Sequence, residues 1–266
     1  MSEAHLLETT DNGVVTLTLN RPGSLNALSG EMMGLLREAV PRLAADKSVR
    51  VVVLTGAGKA FCAGGDVKGM AQRNAGAPES LEERASSLRT GMEVSRQIYE
   101  MPKPTMARMR GPAAGAGLSL ALACDLRIAS DNARFTTAFA KMGFSGDYGG
   151  SYFLPRLVGG AKARELYLTA DILNAEEALA IGMVTRVVPD ADLEEETAAF
   201  ARRLAEGPAI AYRYIKKNLN ASIGGASLSE VFDLEAWNMT RTGMTEDHRE
   251  AARAFVEKRR PIFHGR

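Results

Sequence analysis

The chain has 266 residues, 45% of them hydrophobic and 24% charged, the ordinary balance of one large globular domain or two small ones. Ample apolar surface excludes disorder as the main state. The net charge of +1, from 33 basic and 32 acidic residues, argues against a whole-surface grip on nucleic acid. Three histidines, His5, His248 and His264, all lie near the chain ends, which weakens any histidine-based mechanism. Cys62 and Cys124 lack CxxC spacing, so neither a disulfide framework nor a zinc site is expected. Met1 to His5 show no basic region followed by an apolar run. The longest apolar stretch, Ala113 to Cys124, falls short of the roughly 20 residues of a membrane span. A cytoplasmic protein with no membrane partner is expected.

In chain order, Val14 to Leu19 alternates apolar residues with Thr, the pattern of a half-buried strand. Glu31 to Leu43 carries apolar residues at helical spacing. Val49 to Thr55 is a Val-rich strand ended by Gly56-Ala57-Gly58. Gly69 to Pro78 reads as a mobile loop, and the Ser80–Glu83 pair is a capping box opening a helix to about Tyr99. Strands are expected at Thr105 to Arg110 and Asp125 to Ala129, flanking a Gly/Ala-rich turn and helix. A helix follows at Ser151 to Val158. Three more capping boxes, Asn174–Glu177, Asp192–Glu195 and Ser227–Glu230, announce helices, and beyond Val188 only helices are expected. The result is an α/β core followed by a helical C-terminal part.

Two segments carry the chemistry: Ala60 to Lys68 (AFCAGGDVK) and Gly111 to Ala121 (GPAAGAGLSLA). Each joins a strand to a helix, where small residues let a ligand approach the backbone and free N–H groups carry partial positive charge. Two such turns facing each other would surround one oxygen with N–H donors, the design of an oxyanion hole. Singly, either segment reads as tight turns and close packing. Rival motifs fail on spacing. Leu120 breaks the GxGxxG begun at Gly115, and Val53 and Ala60 break the phosphate loop suggested by Gly58-Lys59. Ser119 and Ser151 lie outside any GxSxG elbow.

Taken together the segments resemble the crotonase superfamily, the enoyl-CoA hydratase/isomerase family. The resemblance runs through Asn20 to Leu28, Phe61 to Asp66, Met101 to Pro104, Gly111 to Ala121, Cys124-Asp125, Gly149 to Gly159, Ala180 to Val184 and Phe255 to Gly265. It implies an α/β fold, a spiral of strand–strand–helix turns over residues 1–200. A helical trimerisation region over 201–266 would follow, giving a homotrimer or a dimer of trimers. It also implies an acyl-CoA thioester as substrate, with no cofactor beyond that coenzyme A. The N–H groups of Gly65 and Ala116 would bind the thioester oxygen. Ser24, Leu25, Ala27 and Ala63 would flank the coenzyme, with Lys68 near the entrance. A neighbouring subunit would bring Lys258, Arg259, Arg260 and Phe263. Residues 251–266 hold five basic residues and one acidic, a net of +4 against −3 for the remaining 250. That tail suits a neighbour's phosphate-rich ligand better than a nucleic-acid surface.

The resemblance is nearer to the aspartate-dependent isomerases than to the hydratases with two glutamates. The positions matching those glutamates are Ser119 and Phe139. Asp147, in the segment Phe144 to Gly150, matches an aspartate that does acid/base work in family isomerases. A pocket of Phe139, Met142 and Phe144 is expected to desolvate it and raise its pKa. The competing reading is that Asp147 caps the following helix. A nucleophilic role, as in related dehalogenases, is weaker, because those enzymes carry a Trp at position 139 and a His in the preceding helix. Ser119 is expected beside the thioester. Glu82, Glu83 and Glu93 offer a second carboxylate or, more plainly, exposed helix charge. The expected function is double-bond isomerisation of an enoyl-CoA. Hydration with a non-standard acid/base set, or acyl-CoA binding without turnover, are the alternatives.

Overall fold

The computed structural model describes residues 4–66, 69 and 80–266. The expected loop at Gly69 to Pro78 therefore lies almost wholly outside the described residues. In chain order the elements are β1 (Leu6–Asp11), β2 (Val14–Leu19), α1 (Gly30–Ala45), β3 (Val51–Gly56), α2 (Leu81–Glu100), β4 (Thr105–Met109), β5 (Pro112–Ala114) and α3 (Gly115–Ala123). There follow β6 (Leu126–Ser130), β7 (Arg134–Thr136), α4 (Gly150–Val158), α5 (Gly160–Thr169), β8 (Leu173–Asn174), α6 (Ala175–Ala180), β9 (Arg186–Val188) and α7 (Leu193–Ala205). Three helices close the chain: α8 (Ala209–Ile223), α9 (Leu228–Gly243) and α10 (Glu246–Val256).

The main sheet runs β1-β2-β3-β4-β6-β9, antiparallel only at β1–β2. Its central strand β3 is buried on both faces, which is why it reads as a run of Val and Leu rather than an alternation. On β2, Val15, Leu17 and Leu19 are buried and the residues between them are not. A small second sheet, β5-β7-β8, stands beside the carboxyl end of β4. Helix α3 runs between the layers with all nine residues buried, so it is apolar on every side. Helix α7 covers the other face of the main sheet, where Leu193, Ala201 and Ala205 meet Val51, Val53, Met106 and Ile128.

Capping follows the sequence at three sites. Ser80 with Glu83, Asn174 with Glu177 and Ser227 with Glu230 form reciprocal boxes. Asp192 does not cap α7. Its φ of −98° and ψ of −8° are helical, because it closes a 3₁₀ turn, and a cap needs extended backbone. Position 200 falls inside α7, so the helices that leave the sheet begin after Ala205. They bury little: α8 has no buried residue, and α9 only Asn238. Leu219, Phe232, Trp237 and Met239 are instead exposed.

Candidate active site

Two loops leave the carboxyl ends of β3 and β4 and are bonded to each other and to the loop after β2. Cys62 N donates to the Pro112 carbonyl at 3.1 Å, and Ala114 N to the Cys62 carbonyl at 2.9 Å. Ala63 N donates to Leu25 O at 2.9 Å, and Leu28 N to Gly64 O at 2.8 Å. Asn26, fully buried, donates to the Ala57 and Ala60 carbonyls at 2.9 and 2.8 Å. Arg21 adds an ion pair to Asp66 at 3.0 Å and a bond to Ala27 O at 2.8 Å. The segment Ser24 to Ala27 is thus fastened beside Ala63, and the joined loops form a backbone cradle.

Helix α3 is pressed onto this cradle. A Cβ on Gly117 would stand 2.6 Å from Cys62 Cβ, O and Sγ, so no side chain fits there. Gly64, at φ +95°, lies so close that its Cβ would come within 2.9 Å of Ala114 O and 3.7 Å of Ala116 N. The start of α3 follows Ala114, which offers no side-chain cap. The first N–H groups of a helix have no intrahelical acceptor. Among the described residues neither Gly65 N nor Ala116 N has a partner. Two unpaired amides, one at the dipole end of a helix, are therefore held in neighbouring backbone. Donors so arranged are chemically suited to a developing oxyanion.

Asp147 stands on a strained turn before α4. Gly146, Tyr148 and Gly149 have φ of +114°, +49° and +78°, and a tyrosine in the left-handed region costs about 1 kcal/mol or more. Asp147 does not cap α4: the cap position is Gly149, with no side-chain bond. Its Oδ1 is buried and has no hydrogen-bond partner among the described residues. Burial alone pushes the carboxyl up to about 6 from an ordinary 3.8. The groups that desolvate it differ from those expected. Met142, the last residue of a 3₁₀ turn over Ala140–Met142, and Phe144 just after it are 50% and 57% exposed, so both side chains face outward. The aromatic wall consists instead of Phe139, Tyr148 and Tyr167. Phe139 and Tyr148 are buried, and the Phe139 ring stacks on Tyr167 at 6.0 Å. The Asp147 charge in turn raises the hydroxyl pKa of Tyr148 and Tyr167, after the larger effect of their burial.

The remaining expectations separate cleanly. Ser119 is buried one turn along α3 from Ala116, with its hydroxyl on Gly115 O at 3.2 Å. Lys68 lies outside the described residues. Glu83 is used in its capping box, Glu93 is paired with Arg89 and Arg96, and Glu82 is exposed. Phe263 is not brought to the cradle within the chain. The tail folds onto α10, with His264 N and Gly265 N on the Asp247 carboxylate at 2.7 and 2.9 Å. Gly265 also lies against Arg50, just before β3 begins, at the opposite end from the cradle. Arg259 is held by Glu250 and Glu257. Among the described residues no cluster of His, Cys, Asp and Glu could hold a metal, and no helix is long and apolar enough to cross a membrane. A separate cavity of about 350 Å³ opens between α2, α4 and α8, around the 2.8 Å pair of Lys216 and Asp125. It meets the start of β6 and touches neither Asp147 nor the cradle.

Tyr167 and Asn26 carry more of the site than their sequence context announces. Tyr167 sits in a helix at apolar spacing and reads as core. The signal for Asn26 is its place between Leu25 and Ala27 in a turn, where a polar side chain can bond backbone.

Known proteins share this fold. Residues 9–266 match the family model described as enoyl-CoA hydratase/isomerase. The 1,2-epoxyphenylacetyl-CoA isomerase of Escherichia coli is 37% identical, with 98% of each chain covered. The crotonyl-CoA hydratase of Syntrophomonas wolfei is 34% identical, with 99% of each covered. The crystal structure of an enoyl-CoA hydratase from Bacillus anthracis superposes with a TM-score of 0.92 at 32% identity, over 98% of this chain and all of that one. The α/β core, its interlocked loops and the C-terminal helices are those of the crotonase fold, and the chain belongs to the enoyl-CoA hydratase/isomerase family.

Proposed function

We propose that this member is an enoyl-CoA isomerase with Asp147 as its acid/base. The observation that carries the reading is the buried Oδ1 of Asp147, without a partner among the described residues, with its carboxyl raised to about 6 on a turn that leads to Gly150, which packs against Ser119 one helical turn from Ala116. In the proposed reaction the thioester oxygen accepts both N–H groups. The Asp147 carboxylate takes a proton from C2, and the C–H electron pair moves into the thioester as a dienolate. The protonated Asp147 then delivers that proton to C4, which leaves the double bond between C2 and C3. A base with a pKa near the working pH suits both transfers. In this reading Ser24, Leu25, Ala27 and Ala63 flank the coenzyme. Coenzyme A enters as part of the substrate, and the steps need no metal or redox group.

The apolar residues exposed on α8 to α10 support a homotrimer or dimer of trimers, with Phe263, Lys258 and Arg260 of one subunit reaching the coenzyme of the next. Light scattering is expected to give at least three times the mass of the chain.

The deciding experiment assays 3-enoyl-CoA isomerisation and crotonyl-CoA hydration side by side, in the wild type and in Asp147→Asn. Isomerisation lost in the variant supports the reading. Efficient hydration that survives Asp147→Asn overturns it. Tight thioester binding with no turnover and no deuterium exchange at C2 or C4 makes the protein a binding member of the family.

A further inference from the structure

Asp147 is aimed by its backbone alone. Among the described residues no hydrogen bond reaches its carboxylate. A carboxylate without hydrogen bonds keeps one direction only if its main chain is held by packing. The turn around it is held in that way. A Cβ on Gly146 would stand 3.1 Å from Tyr167 Cε1, and one on Gly149 2.8 Å from Phe153 Cε2. One on Gly150 would stand 2.5 Å from Ser119 Oγ. These glycines seat the backbone directly on the side chains beneath it.

Tyr148 is the exception in this turn. Its φ of +49° is left-handed, a conformation that glycine adopts freely and tyrosine does not. Such a residue persists only where its surroundings over-determine it. The Tyr148 ring is buried in the main core, and its hydroxyl packs against α2 at Gly91. A Cβ on Gly91 would stand 3.1 Å from Tyr148 Oη and 3.9 Å from its Cζ. Gly91 is also where α2 enters the core. Leu81 to Thr90 are all exposed, and the inner face runs on through Val94, Ser95 and Ile98. The Tyr148 hydroxyl makes no hydrogen bond among the described residues, and Arg37 of α1 and Cys62 of the cradle lie within electrostatic reach of it. The phenol thus spans from the turn of Asp147 to the inner face of α2, beside the cradle.

We propose that Tyr148 is the positioning residue of Asp147. Its ring, wedged under α2 at Gly91, holds the left-handed turn and with it the direction of the carboxylate. The inference rests on Asp147 being the acid/base. Helix α2 then acts on the reaction through Tyr148, without contributing a reacting group.

The test is a double-mutant cycle of Gly91→Ala and Tyr148→Phe. Alanine suits the middle of a helix better than glycine, so Gly91→Ala does not weaken α2 itself. With the tyrosine present, the new methyl group crowds the hydroxyl, and the ring must give by a few tenths of an ångström. The kcat for 3-enoyl-CoA isomerisation is expected to fall by about three- to tenfold, with KM changed by less than about twofold. In the Tyr148→Phe background the nearest ring atom is 3.9 Å away, an ordinary contact. There Gly91→Ala is expected to change kcat by less than about twofold. Carbon-13 NMR of the Asp147 carboxyl reads the same cycle without substrate. Its titration midpoint is expected to move by about half a pH unit or more on Gly91→Ala when the tyrosine is present, and to stay in place in the Tyr148→Phe background. Equal effects of Gly91→Ala in both backgrounds, no effect in either, or a change confined to KM overturns the proposal. A shift in Tm with kcat and midpoint unmoved does so too, because the contact is then structural only. A failure of the Asp147 reading shows separately, as isomerisation retained in Asp147→Asn, whatever the cycle gives.

Discussion

The two halves of the site are built on opposite terms. Around Gly65 and Ala116 the chemistry belongs to the backbone. Asn26, Cys62, Gly64 and Gly117 lock three loops and a helix together, and the two amides have no partner among the described residues. Around Asp147 the proposed chemistry belongs to one side chain on a turn with a left-handed tyrosine, and its buried Oδ1 has no partner among the described residues. The first region is stable because almost everything in it is satisfied. The second stores the cost of burial and strain, and that cost is what makes a carboxyl useful as a base near neutral pH. A backbone cradle tolerates many sequences outside its contact points. A side-chain base is a single residue, which is where members of one fold can differ in reaction.

The strongest way to break this comparison is Asp147→Asn. It leaves the cradle intact and is expected to lower kcat for isomerisation by about 10²–10⁴, with KM little changed. A fall in KM-limited binding alone would place Asp147 in the substrate grip rather than in the chemistry. Next comes Gly117→Ala, aimed at the other half. Its methyl group must push α3 away from Cys62, moving the Ala116 amide, and kcat/KM is expected to drop by about 10²–10³. Thermal melting separates that effect from loss of fold.

A smaller effect sharpens the electrostatics. With the Asp147 carboxyl near 6, kcat/KM rises about tenfold per pH unit below pH 6 and levels off above it. A profile flat from pH 5 to 8 would remove Asp147 from the rate-limiting transfer. The smallest effect concerns stability. The folded value of about 6 lies above the ordinary 3.8, so the carboxyl favours the folded state most below pH 3.8, and that contribution is lost as pH rises through 6. Above pH 6 a charged, partly desolvated carboxylate is a net cost of about 1 kcal/mol after allowance for solvent. Asp147→Asn is therefore expected to raise Tm by roughly 2–4 °C at pH 8 and to change it little at pH 3.5.

The sequence announces the two regions unequally. The strands β2 and β3 and helices α1, α2, α6 and α9 carry periodicity or capping boxes and are legible within a residue or two. Strand β1 is not, because five of its six residues are exposed and show no alternation. The short strands β5, β7 and β8 exist through pairing with one another rather than through their own pattern. The glycine segments mark the cradle, since close approach demands small residues. The surroundings of Asp147 are less visible. Phe144 and Met142 are near in sequence but turned outward, while Tyr167 arrives from α5, twenty residues on. Sequence proximity identifies the turn, and only tertiary packing identifies its wall.

Cys62 has a further use. Its thiol is fully buried under α3, bonded to the Asn26 carbonyl at 3.1 Å, and pushed up to about 12, and Cys124 is likewise buried and raised. Neither sulfur meets an alkylating reagent as thiolate while the fold is closed. The labelling rate of Cys62 against that of Cys124 therefore clocks how often the cradle parts from its helix, a native reporter of site breathing that needs no added probe.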